Sequence, residues 1–81
     1  MARVSGQHDA DGSLKRLGEA VRAARKAKGL SQEALADAAG IDRSHMGKIE
    51  RGERNVTLLN IKRIAKAMGF KPSDLLTSAG L

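Results

Sequence analysis

Residues 32–51 read Gln-Glu-Ala-Leu-Ala-Asp-Ala-Ala-Gly-Ile-Asp-Arg-Ser-His-Met-Gly-Lys-Ile-Glu-Arg, and this stretch decides the fold. Ser31, just before it, is a good N-cap, and Glu33 puts a negative charge in the first turn, where the helix dipole favours one. The helix that follows spans about residues 32–39 and buries Leu35, Ala36 and Ala39. Gly40 stops it at the natural place for a positive φ. Asp42 then caps a second helix, about 43–50, which turns Met46 and Ile49 inward before Gly52 closes it. Only about three residues separate the two helices, and so tight a connection sets them at a steep angle. Ala36 is small because the helices cross nearest there; Arg43, Ser44, Gly47 and Lys48 are left facing outward.

Upstream, Leu14, Leu17, Gly18, Val21 and Ala24 recur at three- and four-residue spacing and predict a helix over about 14–28, ended by Gly29. Its outer face carries Lys15, Arg16, Arg22, Lys26 and Lys28 against one acid, Glu19. Downstream of a polar loop, Arg51 to Asn55, Thr57 caps a helix over about 58–68 with Leu58, Ile61, Ile64, Ala65 and Met68 on one side. Pro72 or Ser73 opens a last short helix containing Leu75 and Leu76. No segment alternates apolar with polar residues over a useful length, so the expected architecture is all-α, five helices around one small core. Residues 13–77 form that domain, with 32–51 at its centre. The expectation for 1–12 is a flexible N-terminal tail, and for 78–81 a C-terminal tail that frays.

Composition bounds what such a domain can do. Eighty-one residues make one domain, and 15 Lys+Arg against 9 Asp+Glu leave +6, so the chain seeks a polyanion. Phe70 is the one aromatic residue, which disfavours the stacking of unpaired bases. There is no cysteine, and His8 and His45 are isolated, so neither a thiolate site nor a metal cage is expected. Asp37, Asp42, Glu50 and Glu53 read as caps, surface or ion-pair residues, and there is no glycine-rich phosphate loop or nucleophile–base pair. The expectation is a protein that is no enzyme and needs no cofactor. Apolar runs are far short of the roughly 20 residues that span a bilayer, and the first residues show no apolar h-region, so no signal peptide is expected. The cytoplasm is the default location.

Leu17-Gly18 with Arg22 and Arg25, Gly29-Leu30-Ser31-Gln32-Glu33-x-Leu35-Ala36, Gly40-Ile41, Ile49-Glu50-Arg51-Gly52 and Ile64-Ala65-Lys66-Ala67-Met68-Gly69 together resemble the Cro/repressor-type, or Xre-like, helix-turn-helix DNA-binding family. The likeness extends over about residues 17–76. It implies a compact five-helix bundle of the lambda-repressor-like type with a central helix-turn-helix, whose second motif helix lies in the major groove. Arg43, Ser44 and Lys48 would then read bases, Arg43 foremost, since a guanidinium pairs bidentately with guanine O6 and N7. Gln32, at a helix start that favours anions, would hold a phosphate, as would His45 and the loop residues Arg51, Arg54 and Asn55. A bare Cα at Gly47 would let the helix approach DNA closely. The resemblance also implies a partly buried ion pair between Arg25 and Glu50 that fixes the recognition helix against the first helix.

The same resemblance implies a regulator of transcription that binds duplex DNA, at a palindromic operator, as a homodimer, in a bacterial or phage setting at the nucleoid. One such domain reads only a few base pairs, so two copies give regulatory specificity. Phe70, Leu75, Leu76 and Leu81 are the expected dimer surface, because the short final helix holds more apolar residues than it can bury; the alternative is that Phe70 and Leu75 cap the core and only Leu76 or Leu81 is exposed. No small-molecule ligand domain is expected. The run from Ile49 to Ile61 is similar, more weakly, to the controller proteins of restriction–modification systems. The alternatives are an antitoxin whose toxin covers the apolar tail, and an interaction module that has lost DNA binding; the outward Arg43, Ser44 and Lys48 argue against the second.

Overall fold

The computed structural model describes residues 9–81. Five helices follow in order, α1 (Ser13–Ala27), α2 (Gln32–Ala39), α3 (Arg43–Glu50), α4 (Leu58–Ala67) and α5 (Pro72–Ser78), with no strand among the described residues. The three expected caps form: Ser31 accepts from the Ala34 amide, Asp42 from His45 and Thr57 from Asn60. Each satisfies a donor that the first turn of a helix leaves without an intrahelical partner. Gly40 turns the chain between α2 and α3 at φ 68°, which a side chain would resist.

The core is one cluster, drawn from every helix. Val21, Leu35, Met46, Ile49 and Ile64 are its largest fully buried side chains, each stabilising the fold by about 1.5–3 kcal/mol relative to exposure. Gly18 decides how α1 meets α3. A Cβ there would fall onto the carbonyl oxygen of Ile49 and within 2.8 Å of the Glu50 carbonyl carbon, so only glycine admits this approach. Gly52 does the same for the loop after α3: its φ is 73°, and a Cβ would lie 2.8 Å from the Lys15 Cα.

Both ends of the chain differ from the sequence expectation. Of the expected tail 1–12, residues 1–8 lie outside the described residues, as does His8. Residues 9–12 form a capping turn instead, in which Asp9 accepts from the Leu14 and Lys15 amides at 3.0 and 3.1 Å and Asp11 accepts from the Ser13 amide and hydroxyl. That pairing holds the Asp11 carboxyl below its ordinary range, through the Ser13 hydroxyl first. At the other end, α5 runs to Ser78 and Ala79 is buried in the core. Arg16, expected on the outer face of the first helix, donates through Nε to the Ala79 carbonyl at 3.3 Å and so joins the two ends.

One helix face is also corrected. Leu58 is expected inward on α4, but it is the first residue of that helix and, among the described residues, it is exposed, as is Leu59. The helical spacing places Leu58 on the apolar stripe but does not state what covers it.

Candidate nucleic-acid interface

α3 is anchored along one side and open along the other. Met46, Gly47, Ile49 and Glu50 are buried, His45 and Lys48 are half-buried, and Arg43 and Ser44 are exposed. The anchor is a hub around Glu50. Arg25 of α1 donates to it bidentately, Nε to Oε2 at 2.7 Å and Nη2 to Oε1 at 3.0 Å. A third donor of Arg25, Nη1, reaches the Leu30 carbonyl at 2.9 Å. Gln32 of α2 adds its side-chain amide to Glu50 Oε1 at 3.2 Å. Three helices are thus tied at the C-terminal end of α3, and no buried side-chain polar atom among the described residues lacks a partner. The Glu50 hydrogen bond, ahead of the desolvation that opposes it, raises the Arg25 guanidinium above its ordinary value.

Gln32 therefore occupies two positions at once. It stands at the first turn of α2, as expected of a phosphate contact, but its amide already serves Glu50. Gly47 does not face outward. A Cβ there would lie 3.1 Å from Arg51 Nη1 and 3.3 Å from Gln32 Oε1, so the bare Cα lets those two side chains close over the helix and its use as an approach to DNA is set aside.

The remaining polar residues border the open side. Arg43 stands across from Glu33 of α2, with Nη1 3.6 Å from Oε2. At the other end of α3, Arg51 pairs with Glu53 at 2.6 Å, while Arg54 and Asn55 are exposed in the following loop. Hydrogen bonding between the partners raises the Arg51 guanidinium and lowers the Glu53 carboxyl. The pairing of Glu33 with Arg43 was not anticipated, because ten residues and a turn separate them; Glu33 showed only its favourable place in a helix dipole.

The expected dimer surface is partly overturned. Leu75 is 2% exposed and packs in the core, so it offers nothing to a partner. Phe70 and Leu76 are half-buried against that core, and Leu81 is exposed. Phe70 also lies beneath Lys28, whose Nζ is 5.2 Å from the ring centre. With Leu59 and Pro72 it floors an open groove bordered by Lys62, Arg63 and Lys66. Among the described residues no helix is long and apolar enough to cross a membrane.

Residues 21–75 match the helix-turn-helix family profile. The control protein C.SmaI of Serratia marcescens is 46% identical over 65 residues, covering 80% of this chain and 77% of the relative. The control protein C.BamHI of Bacillus amyloliquefaciens is 48% identical over 61 residues, covering 74% and 75%. The crystal structure of the restriction-modification controller protein C.AhdI from Aeromonas hydrophila superposes with a TM-score of 0.76 at 50% identity, covering 82% of this chain and 97% of that one. A match over most of the chain, joined to the five-helix fold and the Glu50 hub, establishes that this chain belongs to the Xre-like helix-turn-helix family.

Proposed function

We propose that the protein is a transcriptional regulator of the restriction–modification controller kind, which binds duplex DNA as a homodimer with α3 in the major groove. The observation that carries this reading is the one-sided anchoring of α3: Glu50 fixes its C-terminal end, and Arg43 and Ser44 are exposed at its N-terminal end. A helix that enters a groove by its N-terminal residues needs that arrangement. Arg43 is assigned to a guanine edge, with Ser44 and Lys48 reading beside it. His45, Arg51, Arg54 and Asn55 are assigned to phosphates, and Gln32 both to a phosphate at the start of α2 and to the hub.

The dimer surface is reassigned to the α4–α5 end. Leu81, Leu76 and the Phe70 groove with Leu59 keep apolar surface available there after the loss of Leu75. The antitoxin reading draws no support from the relatives named above, which are control proteins.

Selection of bound sequences from a random duplex pool tests the whole reading, with a two-fold symmetric motif as the expected result. On the selected operator, Arg43→Ala weakens specific binding by roughly 1–3 kcal/mol and relaxes preference at one base pair per half-site. Arg54→Ala weakens operator and random DNA alike and lowers the salt slope by about one. Equal behaviour of the two variants would overturn the division between base and phosphate contacts.

A further inference from the structure

The carboxylate beside the base-reading arginine changes what that arginine can bind. Glu33 comes from the first turn of α2 and Arg43 from the first turn of α3, so the pair bridges the two helices of the motif at its open face. Their separation of 3.6 Å and the exposure of both side chains make this a loose pairing in the free protein. We infer that Glu33 is a specificity-determining residue, whose carboxylate orients the Arg43 guanidinium toward base edges and keeps DNA phosphate away from it. The inference rests on the reading of α3 as the recognition helix.

The physical argument is one of charge. A guanine edge presents neutral acceptors, O6 and N7, whereas a phosphate brings a full negative charge. A carboxylate next to Arg43 therefore penalises the approach of phosphate far more than the approach of guanine. The guanidinium has five N–H donors in a planar fork, and a guanine uses two of them. Enough remain for Glu33 to hold the group from the side while it reads the base. On a chain with a net charge of +6, a device that withholds one arginine from the backbone lowers binding to random DNA, which is mostly electrostatic.

Glu53 provides the control within the same molecule. It neutralises Arg51 in the same way, at 2.6 Å, but Arg51 is assigned to phosphate and reads no base. Relief of the Glu53 charge strengthens specific and random binding together. Relief of the Glu33 charge strengthens random binding and blurs the base preference.

The test is a fluorescence-anisotropy titration of the full chain against its selected operator, the operator with the Arg43-read base pair changed, and a random duplex, each over a salt series. Glu33→Gln should bind random DNA about three- to tenfold more tightly with a steeper salt slope, and discriminate the changed base pair less well by a similar factor. Glu53→Gln should leave that discrimination at the wild-type ratio. In an Arg43→Ala background, Glu33→Gln should have no further effect on discrimination, because the group it positions is gone. Glu33 is exposed, so the fold survives, and Glu33→Ala is expected to repeat the shift. Wild-type discrimination in Glu33→Gln, with Arg43→Ala abolishing it, overturns the role of Glu33 alone. Base preference that survives Arg43→Ala overturns the assignment of α3 on which it rests.

Discussion

Arg25–Glu50 and Arg51–Glu53 are the same chemistry at almost the same distance, 2.7 and 2.6 Å, at the two edges of one helix end. Their surroundings separate them. The side chains of the first pair are 11% and 3% exposed, those of the second 57% and 52%. Glu50 also receives Gln32, and Arg25 also donates to the Leu30 carbonyl, so the inner pair joins three helices and a loop. The outer pair joins residues two apart in the chain, and water competes for both. Distance does not rank such pairs; the consequence of removing one partner does, because water can replace Glu53 and cannot reach the place of Glu50.

Glu50→Ala is the strongest way to break this comparison. It leaves the Arg25 guanidinium buried without its counter-charge and the Gln32 amide without its acceptor, a loss of about 3–5 kcal/mol. A small domain has about 5–15 kcal/mol in all, so a large fall in the urea midpoint is expected. A midpoint that moves no further than that of a surface variant would show that the hub holds nothing together. The double variant Arg25→Met with Glu50→Leu sharpens the point. Replacing both charges with apolar groups of similar size recovers most or all of the stability, since the desolvation of the pair disappears with it. DNA affinity is expected to stay low, because the direction of α3 was set by the fork of hydrogen bonds. Recovery of both stability and affinity would mean that packing of Met46 and Ile49 alone orients the helix.

What the sequence made legible follows the same division between local and distant causes. Ser31, Asp42 and Thr57 act on amides three residues away, so their caps and the bounds of α2 and α3 could be read directly. The Arg25–Glu50 pair was legible only through family resemblance, for no local rule joins residues 25 apart. Gly18 was read as one more small residue on an apolar stripe; that a backbone carbonyl of α3 presses on it depends on how two helices cross. Gly47, Leu58 and Leu75 failed for a related reason. Helical period states which residues share a face, and it does not state which neighbour covers the face: Gln32 and Arg51 cover Gly47, the core takes Leu75, and Leu58 is exposed among the described residues. Asp9 was missed because its cap spans a whole turn, reaching amides five and six residues on.

The smallest effect belongs to the outer pair and is read by pH. Arg51, through its hydrogen bond first and its charge second, lowers the Glu53 carboxyl, with Lys48 and Arg54 adding weakly. A carboxyl that is more acidic in the folded state favours folding fully above the ordinary glutamate value and loses that contribution as pH falls through the lowered one. Wild type and Glu53→Gln should therefore differ slightly in urea midpoint near neutrality and converge in acid. Because both partners are exposed, high salt should erase the difference at neutral pH too. The inner pair is shielded from that screening, so the deficit of Glu50→Ala should persist at high salt. A Glu53 effect that resists salt would place it with Glu50, as a structural clamp on the loop, and would remove the distinction between the two pairs.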